Sequence, residues 1–352
     1  MKFFEKTNEA FSLNSEAAEF SSSILYCNEI VNKVSRTFAI GIHVLKGQIK
    51  NSVLVGYLLC RIADTIEDDL SLITEDKIYY LEKFQNCFSD RNQISFICKI
   101  ADKLTGDESH INLVRNCDKV FRVFESLSFY TKSVLIHWVS EMICGMKKFL
   151  RKHDNKLRIQ SLSEFKEYCY YVAGTVGCML TDLWKEHALL FNEKLYQSLY
   201  KISSKFGEGL QIINILKDIF WDKQKENSIY IPEEILKRLG SSHENLLNKN
   251  FYFQNEIAAK ELMFLAQKDL LESVEYVKKI PKINPRIRFF CALPLLLAIG
   301  TLNKLKSSDN IISSENKIKI SKSEVSKIIR QSFFSSISNW WFEKSVKKLM
   351  KN

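Results

Sequence analysis

The chain has 352 residues, 46% of them apolar, a formal net charge of +10, and only 11 Gly and 4 Pro. That composition excludes a collagen-like or disordered polypeptide and leaves enough apolar surface for one large or two ordinary domains. The basic excess suits an anionic partner such as a phosphate-bearing ligand or an acidic membrane surface; scattered Lys and Arg without zinc spacing or interleaved aromatics argue against nucleic acid.

Long windows of 3.6-residue periodicity without strand-like alternation predict an all-α protein. The nine cysteines include no CxxC pair and lie mostly in apolar helical segments, so they read as small core residues in a reducing compartment. The N-terminus lacks an unbroken apolar h-region, and the longest apolar run, Phe289 to Gly300, is too short to span a bilayer. The expectation is a cytoplasmic monomer, soluble or peripheral on the inner face of the membrane.

In chain order, residues 1 to about 20 read as a polar lead-in, and a helix is predicted from near Ser21 to Lys33. Ser35 and Arg36 follow, placed to cap the next helix and bind an anion at its N-terminus, or simply to form an ordinary N-cap with a surface Arg. The next helix carries YLLCRIADTIEDD (57–69). Within it Tyr57, Arg61, Asp64 and Asp68 form one stripe, and Leu58, Leu59, Ile62 and Ala63 are free to pack. Residues 73 to 160 predict three or four scaffold helices, broken at Gly106-Asp107-Glu108-Ser109. His110, His137 and His153 share no ligand spacing.

Ser161 and Glu164 form a capping box before YCYYVAGTVG (168–177). Gly174 and Gly177 inside a helix cost roughly 1 kcal/mol each relative to Ala, tolerated where a backbone or ligand comes close or the helix kinks. Tyr171, Thr175, Cys178 and Asp182 share a face, which fits a cavity wall with a tyrosine hydroxyl or ordinary core packing. QIINILKDIFWD (211–222) then sets Gln211, Asn214, Asp218 and Asp222 on a second stripe. The polar linker 222–232 reads as a lid, and Pro232 opens another helix. Asn284-Pro285-Arg286 breaks the chain before a buried helix kinked at Pro294. After a polar loop at 307–316, Ser321 and Glu324 form a second capping box. The tail from Ser332 to Asn352 pairs Phe333, Phe334, Trp340, Trp341 and Phe342 with lysines, suiting a membrane-interface helix or one docked on the body.

Two helices thus each carry carboxylates one turn apart, cut into apolar sequence. Buried carboxylates cost several kcal/mol each unless a positive group meets them. Oxygen ligands of this kind select Mg²⁺, which keeps waters and takes other ligands from substrate phosphates. Solvated acidic faces are the bland alternative, weakened by the flanking apolar residues and by Arg61, Gln211 and Asn214 on the same lines.

These residues, with SRTF (35–38) and YIP (230–232), resemble the squalene and phytoene synthase family, the head-to-head trans-isoprenyl diphosphate synthases, from about Ser35 to about Lys322. FCALPLLLAIGTL (290–302) followed by KISKSEV (319–325) is closer to squalene synthases of bacterial type. The resemblance implies a single all-α isoprenoid synthase domain (21–330) around a central apolar cavity, with an aromatic and basic tail (331–352). It implies that Asp64, Glu67, Asp68, Asp218 and Asp222 coordinate Mg²⁺, with Mn²⁺ as a substitute, through substrate diphosphates. Ser35, Arg36, Arg61 and Lys217 would contact phosphate; Phe38, Tyr57, Gln211, Asn214, Tyr171 and Tyr230 would complete the pocket. Tyr171 would stabilise the carbocation and help move a proton. Arg36, Arg61, Lys217, Lys319 and Lys322 would serve NADPH.

Two departures stand out. Lys217 replaces the usual Arg, a point charge in place of a bidentate fork. Asn227-Ser228 replaces the usual Gly-Arg before Tyr-x-Pro, leaving the flap's phosphate contact open. The implied reaction joins two farnesyl diphosphates through presqualene diphosphate, with NADPH-dependent reduction to squalene. The alternatives are a phytoene or dehydrosqualene synthase without reductant, and a non-catalytic partner subunit. A di-iron protein would need Glu-x-x-His pairs, which are missing.

Overall fold

The computed structural model describes residues 2–35, 37–154, 156–308, 310–312 and 318–351, with side chains described from Ala17 to Met350 within those ranges. The all-α reading holds: among the described residues there is no strand, and one isolated bridge pairs Arg158 with Ile229. Two compact units are present, Met1–Ile42 with Lys46–Val139, and His43–Leu45 with Ser140–Asn352.

The first unit is built from α1 (Lys2–Val34), α2 (Thr37–Val44), α3 (Gln48–Glu67), α4 (Thr74–Asn86), α5 (Asn92–Ile100), α6 (Glu108–Arg115), α7 (Cys117–Glu125) and the start of α8 (Phe129–His153). α1 begins at Lys2 rather than near Ser21, because residues 2–20 contain neither Gly nor Pro and are rich in helix formers. Five α-helices and a 3-10 turn (Ala101–Lys103), not three or four helices, fill the described residues of 73–160; Asn116 alone separates α6 from α7, a break too short to read from composition. The break at 106–109 is as expected, with Asp107 capping α6 through the Ser109 N–H. α3 packs on α1, α4, α6 and α7. It does so through Leu54, Leu58, Leu59, Ile62 and Ile66, all fully buried. Phe84, Phe88, Phe121 and Phe124 form an aromatic cluster with ring centroids 5.6–6.2 Å apart.

The second unit continues with α9 (Leu162–Cys169), a π-helical turn (Tyr170–Gly174), α10 (Thr175–His187), α11 (Glu193–Trp221), a second π-turn (Asp222–Glu226), α12 (Glu233–Arg238), α13 (Tyr252–Lys279), α14 (Pro285–Lys306), α15 (Lys322–Ile337) and α16 (Asn339–Lys351). α11 is its central helix, packing on α10, α13 and α14. At α9 the capping box closes only by half. Ser161 Oγ accepts the Glu164 N–H at 3.2 Å, but the Glu164 carboxylate takes the N–H of Gln160 and also meets His153. The box at Ser321 and Glu324 is complete.

Among the described residues, α14 is long and apolar enough to cross a membrane by length and composition, yet 83% of its apolar window is buried. It is a core helix, and it runs unbroken through Pro294. Its Arg288 is fully buried. The guanidinium donates to the Val277 and Ile280 carbonyls at the end of α13, to the Ser335 and Ser336 carbonyls at the end of α15, and to Asn339 Oδ1. A cation spent on helix C-terminal carbonyls meets the negative end of two macrodipoles. Arg288→Met is expected to lose about 3–5 kcal/mol of stability, read as a large fall in thermal midpoint, because several buried acceptors lose their donor at once.

The tail is docked. Phe342 and Val346 of α16 are buried, and Glu343 pairs with Lys278 at 2.9 Å. Its other face carries Trp340 and Trp341, exposed beside Phe333 and Phe334, with Lys344 Nζ 4.8 and 5.2 Å from the two indole centroids.

One buried carboxyl carries a pH dependence. Asp269 on α13 is 2% exposed and packs at Gly209 of α11. Burial pushes its pKa up to about 6, against the pull of Lys205 and with Glu208 adding repulsion. The native state therefore holds a proton there that the unfolded chain has lost, so stability falls as pH rises from about 4 to 6 and stays lowered above. A rise of that size corresponds to at most about 3 kcal/mol. Asp269→Asn is expected to melt higher than the wild type at pH 8, the gap closing towards pH 4.

Candidate active site

In the first unit the predicted stripe forms. Tyr57, Arg61, Asp64 and Glu67 are half-buried and Asp68 is exposed, whereas Leu58, Leu59, Ile62 and Ala63 are buried. Arg61 Nη1 lies 3.4 Å from Asp64 Oδ2, its Nη2 lies 3.4 Å from the Tyr57 hydroxyl, and that hydroxyl donates to the Val34 carbonyl at 3.1 Å. Arg61 Nε is buried and makes no hydrogen bond to a described residue. Phe38 stacks at 5.8 Å on Tyr57, and the Phe38 N–H donates to Ser35 Oγ, so Ser35 caps α2 as expected. Arg36 lies outside the described residues.

Burial raises the Asp64 pKa to about 7, with Arg61 opposing and Asp68 reinforcing the rise. Glu67 is held well above the usual carboxylate range by burial, then by Asp68 and Asp64. Two crowded carboxyls that resist ionisation mark a place where a cation would be taken up. Among the described residues, no group of three or more His, Cys, Asp or Glu side chains is arranged to hold a metal ion alone. An oxygen-rich, incomplete ligand set of this kind fits Mg²⁺, which completes its shell with water and phosphate oxygens.

Sequence reasoning missed two residues here. Asp69 is buried and accepts the N–H groups of Ser71, Leu72 and Thr105, so it organises the loop after α3 and does not extend the acidic stripe. Lys77 of α4 is 4% exposed, and its amine faces the field of Glu67, Asp68 and Asp69. Its signal was a lone cation on the apolar face that also holds Thr74, Tyr80, Leu81 and Phe84.

In the second unit the stripe on α11 also forms. Gln211, Lys217, Asp218 and Asp222 are half-buried and Asn214 is exposed, over buried Ile212, Ile213, Ile215, Leu216 and Ile219. Lys217 Nζ donates to Asn214 Oδ1 at 2.9 Å and lies 3.8 Å from Asp218 Oδ2. Asp222 opens the π-turn, its N–H still donating to the Asp218 carbonyl. Tyr171 sits in the π-turn after α9, packed over Gly145 of α8 with Lys148 Nζ 6.0 Å from its ring. Burial keeps its hydroxyl protonated above the ordinary range. Cys178 bonds Ser203 at 3.1 Å and Asp182 accepts from Tyr196, so those two belong to packing rather than to a cavity wall.

Of the two glycines near Tyr171, Gly177 is explained by a close backbone, as is Gly207 of α11, whereas a Cβ on Gly174 would meet only the Tyr170 and Glu208 side chains. A Cβ on Gly177 would run into the Ser203 carbonyl of α11, and one on Gly207 into the Ala173 carbonyl of the π-turn. Tyr230 packs against Tyr168, ring centroids 5.2 Å apart and tilted by 46°. The linker 222–232 is anchored rather than loose. Ile229 and Ile231 are buried, and the Ile229 N–H and carbonyl bond Leu157 and Ile159. Lys319 and Lys322 are exposed at the start of α15.

Residues 31–324 match the squalene/phytoene synthase family. The chain is 30% identical over 311 residues to a squalene synthase of Dictyostelium discoideum, covering 88% of this chain and 71% of that one.

The chain belongs to the squalene/phytoene synthase family.

Members are transferases of isoprenoid biosynthesis, and both acidic stripes lie within the matched span. Solved structures agree on the fold. TcSQS bound to the ligand BPH1237 superposes with a TM-score of 0.80 at 23% identity, covering 93% of this chain and 90% of that one. A dehydrosqualene synthase in complex with ligand gives 0.65 at 23% identity, covering 90% and 97%. The fold is therefore the all-α isoprenoid synthase fold of this synthase family.

Proposed function

We propose that the protein joins two farnesyl diphosphates head to head through presqualene diphosphate and reduces the product to squalene with NADPH. The observation that carries this is the pair of acidic stripes, both inside the family match, one holding carboxyls whose pKa burial raises. Asp64, Glu67, Asp68, Asp218 and Asp222 would hold Mg²⁺, or Mn²⁺ in its place, which when bound supplies positive charge to the leaving diphosphate.

Arg61, Lys217 and Ser35 bind and orient phosphate oxygens, Arg61 through its buried Nε–H, which makes no hydrogen bond to a described residue. Loss of diphosphate from one substrate leaves an allylic cation, which the double bond of the second attacks; proton loss closes the cyclopropane. The Tyr171 ring would stabilise that cation, and its hydroxyl, kept protonated by burial, would take the proton at Oη while handing its own to the released diphosphate. Phe38 and Tyr57, their rings 5.8 Å apart, would exclude water beside Arg61. The reduction rests on the relatives' name, squalene synthase, rather than on Lys319 or Lys322. We also assign peripheral contact with an anionic membrane to the exposed aromatic face of α15 and α16 with its lysines.

The test is incubation with farnesyl diphosphate and Mg²⁺, with and without NADPH, and identification of the hydrocarbon. Squalene only with NADPH is the expected result. Dehydrosqualene in both arms assigns the reductant-free chemistry, and no diphosphate release at any Mg²⁺ concentration assigns a non-catalytic subunit.

A further inference from the structure

Beside the second π-turn two cations meet without an acid. Arg158, between α8 and α9, donates Nη2 to Asn227 Oδ1 at 2.6 Å, and Nη1 to the carbonyls of Asn227 and Leu157. Lys223 Nζ approaches the same amide oxygen at 3.5 Å. Both side chains are half-buried, and among the described residues neither pairs with a carboxylate. Burial lowers the pKa of Arg158. His243 is also held below its ordinary value, by burial with Arg158 and Lys223 adding to it.

The backbone fixes this arrangement. Asn227 takes the left-handed conformation, φ 51° and ψ 34°, and the Ser228 N–H returns to the Asp222 carbonyl at 3.0 Å. Residues 157–159 run alongside 227–229 through the Ile229 N–H to Leu157 and the Ile159 N–H to Ile229. Arg158 is thereby tied to a turn whose first residue is Asp222.

A structural staple would account for part of this. It explains why the end-on edge of the guanidinium is spent on Asn227. It leaves unexplained the side-on edge, where Nε–H and the second N–H of Nη2 have no partner among the described residues. That edge is the one that matches a carboxylate or phosphate bidentately. Nor does it explain why Lys223 is drawn to the same neutral oxygen against a like charge. Two cations sharing one acceptor repel each other, and an arriving anion relieves both.

We propose that Arg158 and Lys223 form a subsite for the phosphate oxygens of an anionic ligand, beside the Asp218–Asp222 end of α11. The inference rests on the diphosphate reading of Asp218 and Asp222. It also provides a guanidinium at the linker where Asn227-Ser228 stands.

The full chain is titrated calorimetrically with inorganic pyrophosphate plus Mg²⁺ and, separately, with NADPH. Arg158→Gln and Lys223→Gln are each expected to weaken binding roughly tenfold, the size of one lost charge-assisted contact. A loss with pyrophosphate assigns the subsite to the diphosphate; a loss confined to NADPH assigns it to the dinucleotide's phosphates. Asn227→Gly keeps the left-handed turn, removes the competing amide oxygen and is expected to bind at least as tightly as the wild type. If Asn227→Gly loses as much as Arg158→Gln, Arg158 only closes the turn and the subsite is refuted. Wild-type affinity of Arg158→Gln and Lys223→Gln for both ligands refutes it too. Lys223→Gln carries the test if Arg158→Gln melts out. A wild-type chain that binds neither ligand overturns the diphosphate reading along with the subsite. A wild type that binds them normally, beside unaffected variants, overturns the subsite alone.

Discussion

Asp64→Asn and Asp218→Asn are each expected to cut turnover of farnesyl diphosphate by about 10²–10³-fold or more, the range seen when one preorganised charge stabiliser is lost. The two differ in what they do to the folded state. Burial holds the Asp64 carboxyl at a pKa of about 7, so its ionised form is a burden on the native structure above that pH. Asparagine keeps an acceptor for Arg61, 3.4 Å away, and removes the charge. Asp64→Asn should therefore melt no lower than the wild type at pH 8, with its advantage shrinking as pH falls from about 7 towards 4. Pyrophosphate release and thermal denaturation on one preparation check both halves. Wild-type turnover in either variant would remove the metal assignment.

Gly207→Ala is expected to destabilise by at least about 1–3 kcal/mol, the range for overpacking, and to lower turnover in parallel. The new methyl would be driven into the Ala173 carbonyl, and backbone cannot rotate aside as a side chain would. What yields must be the π-turn itself, which carries Tyr171. Gly177→Ala meets the Ser203 carbonyl and should behave alike. Gly174→Ala is the contrast, because its Cβ would meet the Tyr170 ring at 3.1 Å and the Glu208 side chain, both of which can move. Thermal melts of the three variants rank them, and a harmless Gly207→Ala would refute the close approach.

The two stripes were legible because burial follows the 3.6-residue period so closely. In α3 Leu58, Leu59, Ile62 and Ala63 beside the line are all buried, and in α11 Ile212, Ile213, Ile215 and Ile219 do the same. The complete capping box at Ser321, the cap at Ser35 and the mostly buried cysteines were equally local, hence readable. What stayed hidden depends on partners far along the chain or on one extra residue in a turn. Asp69 follows Asp68 directly in sequence, yet it accepts the Thr105 N–H from across the unit. The π-turns at 170–174 and 222–226 shift the register without changing composition. The linker after Asp222 looked polar and free, yet its isoleucines are buried against residues some seventy positions earlier. A central cavity remains an implication of the family resemblance.

Arg288 also bears on where the polypeptide can be shortened. Three of its acceptors, on Ser335, Ser336 and Asn339, belong to the last two helices. A chain cut after Arg330 would strand an ionised guanidinium in the interior of what is left. The segment that presents tryptophans to the outside is the same one that neutralises this charge inside. Trimming the greasy end to improve solubility would therefore unseat the core, and point substitutions at Trp340 or Trp341 are the safer way to strip that surface.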